Sequence, residues 1–326
     1  MRVSIAMATY NGARFVREQL DSFVAQTCRP DELIVCDDGS TDDTLSILRS
    51  FQESAPFDVG IHQNPARLGY AKNFEKALSL CTGDIIFLSD QDDLWFKVRI
   101  ERLLAAFVRD PSAWVIVNNA ALTREDLTPS GLTLAGQLES AGLNPTQLFN
   151  GSATAFRSDL LPLILPIAHQ SNGHDGWINS LGSALHCRKY VPQILQFYRR
   201  HDATTSDWPT SRTTPARRWH LFREQLRWRN NCRDPRSASD RRLEQLKVLL
   251  GRIRAHEAYL KVRLPESVDL PAVLKRIEAE RHANELRRLI QEQRLFSRFA
   301  LGLRFYLAGG YRRFEGWKSL ARDVIR

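Results

Sequence analysis

Paired cysteines are missing from this chain. Cys28, Cys36, Cys81, Cys187 and Cys232 are odd in number, and no two form a C-x-x-C arrangement. That excludes a zinc site built on closely spaced cysteines and points to free thiols in a reducing compartment rather than a disulfide framework. Long apolar runs are missing too: the most apolar window, LLPLILPIA at 160–168, is too short to span a bilayer and contains two prolines. Met1 leads straight into VSIAM without a charged n-region, an apolar h-region or a small-residue cleavage site, so no signal peptide is expected. Neither G-x-x-x-x-G-K-[ST], G-x-G-x-x-G nor G-x-S-x-G occurs. Their absence excludes ordinary P-loop nucleoside triphosphatases, dinucleotide-dependent dehydrogenases and hydrolases with a nucleophile elbow. No internal repeat is evident.

What is present is ordinary globular composition with an uneven charge. Of 326 residues 43% are apolar and 25% charged, enough for one large domain with an appendage or for two domains. The net charge of +9 conceals two opposite halves. From Ser211 onward stand 28 Lys and Arg against 13 Asp and Glu, whereas the first 210 residues carry 18 against 24. The change follows the Pro/Thr/Ser-rich stretch TTSDWPTSRTTPAR and suggests a division into residues 1–210 and a basic, helix-rich region 211–326.

The first region alternates strand and helix patterns. VSIAM (3–7), ELIVC (32–36), VGIH (59–62), DIIFLS (84–89) and WVIVNN (114–119) read as strands. Between them run helical patterns: Phe15, Leu20, Phe23 and Val24; TLSILRSF, with Ser40, Thr41 or Asp42 as its cap; Ala71 to Leu80; and ERLLAAFVRD. Such alternation predicts an α/β fold with a mainly parallel sheet covered on both faces. Residues 120–149 show no clear element, GSATAFR (151–157) reads as another strand, and HDGWINSLGSAL (174–185) as a helix. In the basic region Leu243, Leu246, Leu249, Leu250 and Ile253 form one helical stripe. Phe296, Phe299, Leu303 and Tyr306 form a second, and Trp219, Trp228 and Trp317 lie among basic residues.

In a parallel sheet ligands bind at the carboxyl ends of the strands. TYNG, DDGS and SDQDD all follow strands, so they should converge on one edge. Asp90, Asp92 and Asp93 cannot all stay charged in a partly buried cleft unless paired, protonated or bound to a cation, and hard carboxylate oxygens suit Mg²⁺ or Mn²⁺. The plain alternative is a solvated acidic turn. Asp37 and Asp38 can either bind a base or ribose or turn the chain and cap the next helix, and one aspartate is expected in each job. His174 and Asp175 open a predicted helix: Asp175 either complements the dipole or acts as a general base. In QFYRRHD, Arg199 and Arg200 can neutralise phosphate and His201 can ligate a metal; a solvated basic turn is the alternative.

Together these residues resemble the family 2 glycosyltransferases. ATYNGARFVREQLDSFVAQTCRPDELIVCDDGSTDDT is similar to the family's nucleotide-binding start, and NPARLGYAKNFEKALSLCTGDIIFLSDQDDLW to its second half with the D-x-D-D signature. GSATAFR, HDGWI and YRRHD are similar to blocks of bacterial rhamnosyltransferase-like members that build surface polysaccharides. The resemblance implies a GT-A-type, doubly wound sheet and an inverting transfer from a nucleotide diphosphate sugar with Mg²⁺ or Mn²⁺. Thr9, Tyr10 and Asp38 would hold base and ribose, with Lys72 and Asn73 near the donor. Asp90 would face ribose, phosphate and metal, Asp92 would ligate the metal, and Asp175 would be the catalytic base. Two departures concern the acceptor: His174 replaces the common acidic neighbour of the base, and Gly176 replaces a frequent aromatic.

The expected acceptor is a saccharide or a polyprenyl-linked saccharide of O-antigen or capsule assembly. The basic helices would meet an anionic membrane surface, so a cytoplasmic protein peripheral to the inner face of the membrane is expected, with no nucleic-acid partner. The competing readings are a sugar nucleotidyltransferase and a catalytically silent carbohydrate- or membrane-binding scaffold. The first would carry a Gly-rich basic signature near its first strand, where TYNGARF stands instead.

Overall fold

The computed structural model describes residues 1–169, 173–202, 204, 211–217, 236–314 and 316–325. Continuous apolar runs become β1 (Val3–Thr9), β2 (Glu32–Asp37) and β4 (Ile85–Ser89), which are buried almost throughout. β3 (Asp58–Gln63) lies at the sheet edge and is only half-buried. The helices between them are α1 (Val16–Val24), α2 (Thr44–Ser54), α3 (Tyr70–Leu80) and α4 (Arg99–Arg109). Each buries its apolar stripe: Leu20 and Phe23 of α1, Leu48 and Phe51 of α2, and Leu103 and Phe107 of α4 join Ile5, Val35 and Phe87 in one core. Removing such side chains from water is the main stabilising contribution to the sheet.

Further strands are β5 (Leu94–Trp95), β6 (Val115–Thr123), β7 (Pro129–Thr133), β8 (Thr154–Arg157) and β9 (Arg188–Arg199); among the described residues the nine form a single sheet in the order β3-β2-β1-β4-β8-β6-β9-β5, with β7 beside β6. β1 to β4 are mutually parallel where they pair. Beyond them β8 runs antiparallel to β4 and to β6. β9 is parallel to β6, and the short β5 is antiparallel to β9.

Two segments differ from the sequence expectation. Residues 120–149 hold the end of β6, β7 (Pro129–Thr133), α5 (Leu134–Ser140) and a 3-10 turn at Pro145–Gln147. The long strand β9 was not foreseen. Pro192 and the charged ends of RKYVPQILQFYR argue against a strand locally, but the β6–β9 register shifts after Asn118↔Val191 and resumes at Asn119↔Ile194. Pro192 and Gln193 fall in that irregularity, where a missing N–H leaves no ladder bond unmade. After β8 come α6 (Leu161–Ile164) and α7 (Gly173–Ala184).

The chain forms two compact units, Met1–Leu226 with Arg263–Val268, and Arg227–Val262 with Asp269–Arg326. The expected division at 210 adjoins residues 205–210, which lie outside the described residues, as do Trp219, Trp228 and Cys232. The second unit contains helices Arg236–Ala255, Leu270–Gln291, Leu295–Leu307 and Trp317–Ile325. Its leucine stripe, Leu243 to Ile253, is buried. So is Asp323, which accepts from Arg287 Nε at 2.7 Å, Tyr311 Oη at 2.9 Å and Gln291 Nε2 at 2.7 Å.

Candidate active site

Because β2, β1 and β4 are adjacent and parallel, the segments after Thr9, Asp37 and Ser89 leave the sheet on the same edge. Hydrogen bonds then join them. Asn11 N donates to Ser40 Oγ at 2.8 Å, Thr41 N donates to Asn11 Oδ1 at 2.8 Å, and Gly12 N donates to Thr44 Oγ1 at 2.8 Å. Asp42 accepts from Thr44 N at 3.1 Å and from Ala13 N at 3.0 Å, but the N-cap position of α2 is Asp43, without a side-chain cap bond, and not Ser40, Thr41 or Asp42 as expected. Gln91 closes the other side: its Oε1 accepts from Tyr10 N at 2.9 Å and its Nε2 donates to Tyr10 O at 3.0 Å. A Cβ on Gly12 would lie 2.2 Å from Gln91 Oε1, so the glycine of TYNG makes room for that amide.

The aspartates of DDGS both serve the backbone. Asp37 Oδ1 accepts from Gly39 N at 3.1 Å and Ser40 N at 2.8 Å, and its Oδ2 from Thr9 Oγ1 at 2.9 Å. Asp38 reaches across to the segment before α3, accepting from Leu68 N at 2.6 Å, Gly69 N at 2.8 Å and Asn64 Nδ2 at 3.1 Å. Asn73 is buried beneath them and donates to Cys36 O at 2.8 Å while accepting from Asn64 at 2.8 Å. Thr9, Asp38 and Asn73 therefore form a buried, hydrogen-bonded floor. Tyr10 is exposed, with the Arg67 guanidinium 3.9 Å from its ring centroid, a cation–π contact. Lys72 is partly exposed and pairs with Glu75 at 2.7 Å.

SDQDD is organised differently. Asp92 Oδ2 lies 2.8 Å from His201 Nε2, and the imidazole packs on Phe15 with ring centroids 4.5 Å apart. Asp93 is buried and accepts from Gln196 Nε2 at 3.1 Å and Arg199 N at 3.2 Å. Burial and the charge of Asp92 push its carboxyl up to about 7, against its hydrogen bonds and Arg99. Asp90 keeps some open surface but sits low in the cleft. Burial, then Asp92, Asp93 and Asp175 in turn, raise its pKa well above the carboxylate range, and Arg99 only partly opposes them.

Arg99, fully buried, is the countercharge that the sequence did not reveal. Its guanidinium lies 3.8 Å from the Trp95 ring centroid and donates to Ser152 O at 2.5 Å. Among the described residues Nε and Nη1 have no hydrogen-bond partner, and burial lowers its pKa to about 9 despite Asp93 and Asp90. A buried arginine and a surface arginine look alike at the start of an amphipathic helix, so no signal in KVRIERLL distinguishes this one.

Asp175 stands in the first turn of α7, with Oδ1 accepting from Gly176 N at 2.8 Å. Its charge acts on Asp90, so the two carboxylates are neighbours in the electrostatics of the strand-end region. His174 beside it is buried and stacks on Phe74 at 3.8 Å, and among the described residues neither ring nitrogen has a hydrogen-bond partner. Burial holds that imidazole below its usual pKa, with Asp175 pulling the other way. Among the described residues no three His, Cys, Asp or Glu side chains converge to hold a metal unaided.

Residues 4–146 match the model of glycosyl transferase family 2. Over those 143 of 326 residues the chain is similar to that family. The match ends before Asp175 and His201. An uncharacterized glycosyltransferase of Nostoc sp. is 26% identical over 219 residues, covering 62% of this chain and 66% of that protein. The dTDP-rhamnosyl transferase RfbG of Shigella flexneri is 40% identical over 106 residues, 31% of this chain and 37% of that one. The chain thus spans less than two thirds of either relative's length. The crystal structure of S. aureus TarS 1–349 in complex with UDP superposes with a TM-score of 0.54 at 16% identity, covering 99% of this chain and 90% of that one. The glycosyltransferase fold expected from the sequence is the fold found, a curled and mixed sheet with a helical C-terminal region.

Proposed function

We propose that the protein is an inverting glycosyltransferase that moves a sugar from a nucleoside diphosphate sugar to an acceptor hydroxyl. The carrying observation is that the charges of Asp92, Asp93 and Asp175 all act on Asp90, with Asp92 paired to His201. Asp175 takes the proton from the acceptor hydroxyl; that oxygen forms the new bond to the anomeric carbon as the bond to the donor phosphate breaks, and the nucleoside diphosphate leaves with the electron pair. One base suffices for a single displacement without a covalent intermediate.

The crowded carboxylates fit a divalent cation. Their donors are hard oxygens, one imidazole nitrogen adjoins them, and Mg²⁺ or Mn²⁺ commonly takes one or two protein carboxylates plus substrate phosphates. Asp92 and His201, with Asp90 nearby, would hold it. When bound, the cation supplies charge stabilisation to the departing diphosphate. Arg99 and Gln196 keep Asp93 and the loop in position from below. Tyr10, exposed and carrying the Arg67 guanidinium on its ring, would meet the base, Thr9, Asp38 and Asn73 shape the floor beneath the nucleoside, and Lys72 lies toward the donor.

The RfbG match supports rhamnose as the sugar, and polysaccharide assembly is the setting in this reading. The acceptor in this reading is a saccharide or lipid-linked saccharide, with residues 1–210 transferring and the basic region 211–326 attending an anionic membrane surface. The test is a panel of nucleotide sugars assayed for Mg²⁺- or Mn²⁺-dependent turnover. One donor should be consumed by the wild type and left intact by Asp92→Ala and Asp175→Asn. Transfer unchanged in both variants would refute the assignment of this cleft.

A further inference from the structure

Helix Leu295–Leu307 leaves its apolar face uncovered. Phe296 is 91% exposed, Leu307 76% and Phe299 55%, with Leu295, Leu303 and Tyr306 also exposed. At about 100° per residue these six side chains fall within one arc of roughly 120°. The packed side adjoins the Leu295 edge of the arc: Gly302 is buried there, and a Cβ on it would lie 2.9 Å from Leu320 and 3.4 Å from Val324. A soluble helix normally turns its apolar arc inward; this one turns it out.

The charges around the arc are of one sign. From Arg294 to Phe314 the sequence carries five arginines (Arg294, Arg298, Arg304, Arg312, Arg313) and no Asp or Glu. On the helix, Arg298 and Arg304 flank the arc on either side. An apolar strip of Phe, Leu and Tyr edged by arginine has the form that settles in the headgroup region of an anionic bilayer, with the rings among the upper acyl chains and the guanidinium groups on phosphates. No helix among the described residues is long and apolar enough to cross a membrane. A helix lying in the interface needs no such length.

We propose that the Phe296–Phe299–Leu303–Leu307 face is a docking surface for an anionic phospholipid membrane. It extends the lipid-linked-acceptor reading, yet it stands on the geometry of the helical unit alone and is tested without any sugar donor. A second copy of the chain is the competing occupant, but it would bring Arg298 and Arg304 against the same arginines, like charges that no acidic residue of this stretch relieves.

The experiment is co-sedimentation of the full chain with mixed phosphatidylglycerol–phosphatidylcholine vesicles and with pure phosphatidylcholine vesicles. The wild type should partition onto the anionic vesicles and much less onto the neutral ones. Phe296→Ser with Phe299→Ser should lower that partition roughly tenfold or more. Arg294→Gln with Arg304→Gln should lower it severalfold and flatten its salt dependence. Val262→Ser, at an exposed site outside the arc, should bind as the wild type does. All these positions are on the surface, and circular dichroism checks the fold of each variant. Wild-type protein remaining in solution, or an unaffected phenylalanine pair, would overturn the proposal. So would a concentration-dependent dimer that the phenylalanine pair abolishes without any vesicle binding. Donor turnover with a soluble acceptor is read separately, so failure of the docking surface and failure of the transferase reading are told apart.

Discussion

At the end of β2, Asp37 and Asp38 are wrapped in amide and hydroxyl donors; at the end of β4, Asp90, Asp92 and Asp93 crowd one another with few. The two loops have similar composition and leave the same sheet edge, yet their surroundings differ. A carboxylate that accepts several N–H groups fixes the backbone. A carboxylate buried beside others and short of donors is suited to a positive partner. The saturation of the oxygens, rather than the number of aspartates, separates the structural loop from the chemical one.

Substitutions can break that contrast, and the largest effects belong to the second loop and its neighbour. Asp175→Asn removes the proposed base and should cut transfer by about 10³-fold or more with the unfolding midpoint unchanged. Asp92→Ala should cost about 10²–10³-fold in metal-dependent kcat/KM, again without loss of stability, because it relieves repulsion on Asp90 and Asp93. Asp38→Ala should behave in the opposite way. It strands the amides of Leu68 and Gly69 and the side chain of Asn64, and urea unfolding should show a loss of about 2–3 kcal/mol. If Asp92→Ala proved the more destabilising of the two, the contrast between the loops would be wrong.

Smaller effects sharpen it. The His174 imidazole is held neutral by burial, so the folded chain resists a proton that the unfolded chain accepts below about 6.5. Wild-type stability should therefore fall as pH drops through that value, and His174→Gln should lose part of this acid slope in paired unfolding curves at about pH 7.5 and 5.5. Lys72→Ala should be the mildest change. Its ion pair with Glu75 is solvated, and stability should move by less than about 1 kcal/mol, so any large loss of donor affinity would report contact with the donor itself.

Much of this was legible because apolar runs and strand-end motifs are local signals. β1, β2 and β4 declare themselves as continuous apolar stretches, and their shared direction predicts the convergence of TYNG, DDGS and SDQDD. β9 was illegible: its ladder with β6 depends on a partner some seventy residues away, and its sequence contains the proline that the register shift accommodates. Within DDGS, the hold of Asp38 on the amides of Leu68 and Gly69, some thirty residues away, was not legible either. Which donors saturate a carboxylate is a tertiary fact. The same holds for Arg99 and for the outward turn of Phe296 and Phe299, whose helical periodicity was plain while the side left uncovered was not.

The tight fit of Gly12 against Gln91 links two positions that lie far apart in the chain. Any side chain at 12 evicts the amide of 91, and losing that amide releases the main chain of Tyr10. The two positions can therefore drift only as a pair. In a library that randomises both, functional clones should pair a residue larger than glycine at 12 with a shortened residue at 91, and grafting SDQDD alone from a relative should fail where grafting it together with TYNG succeeds.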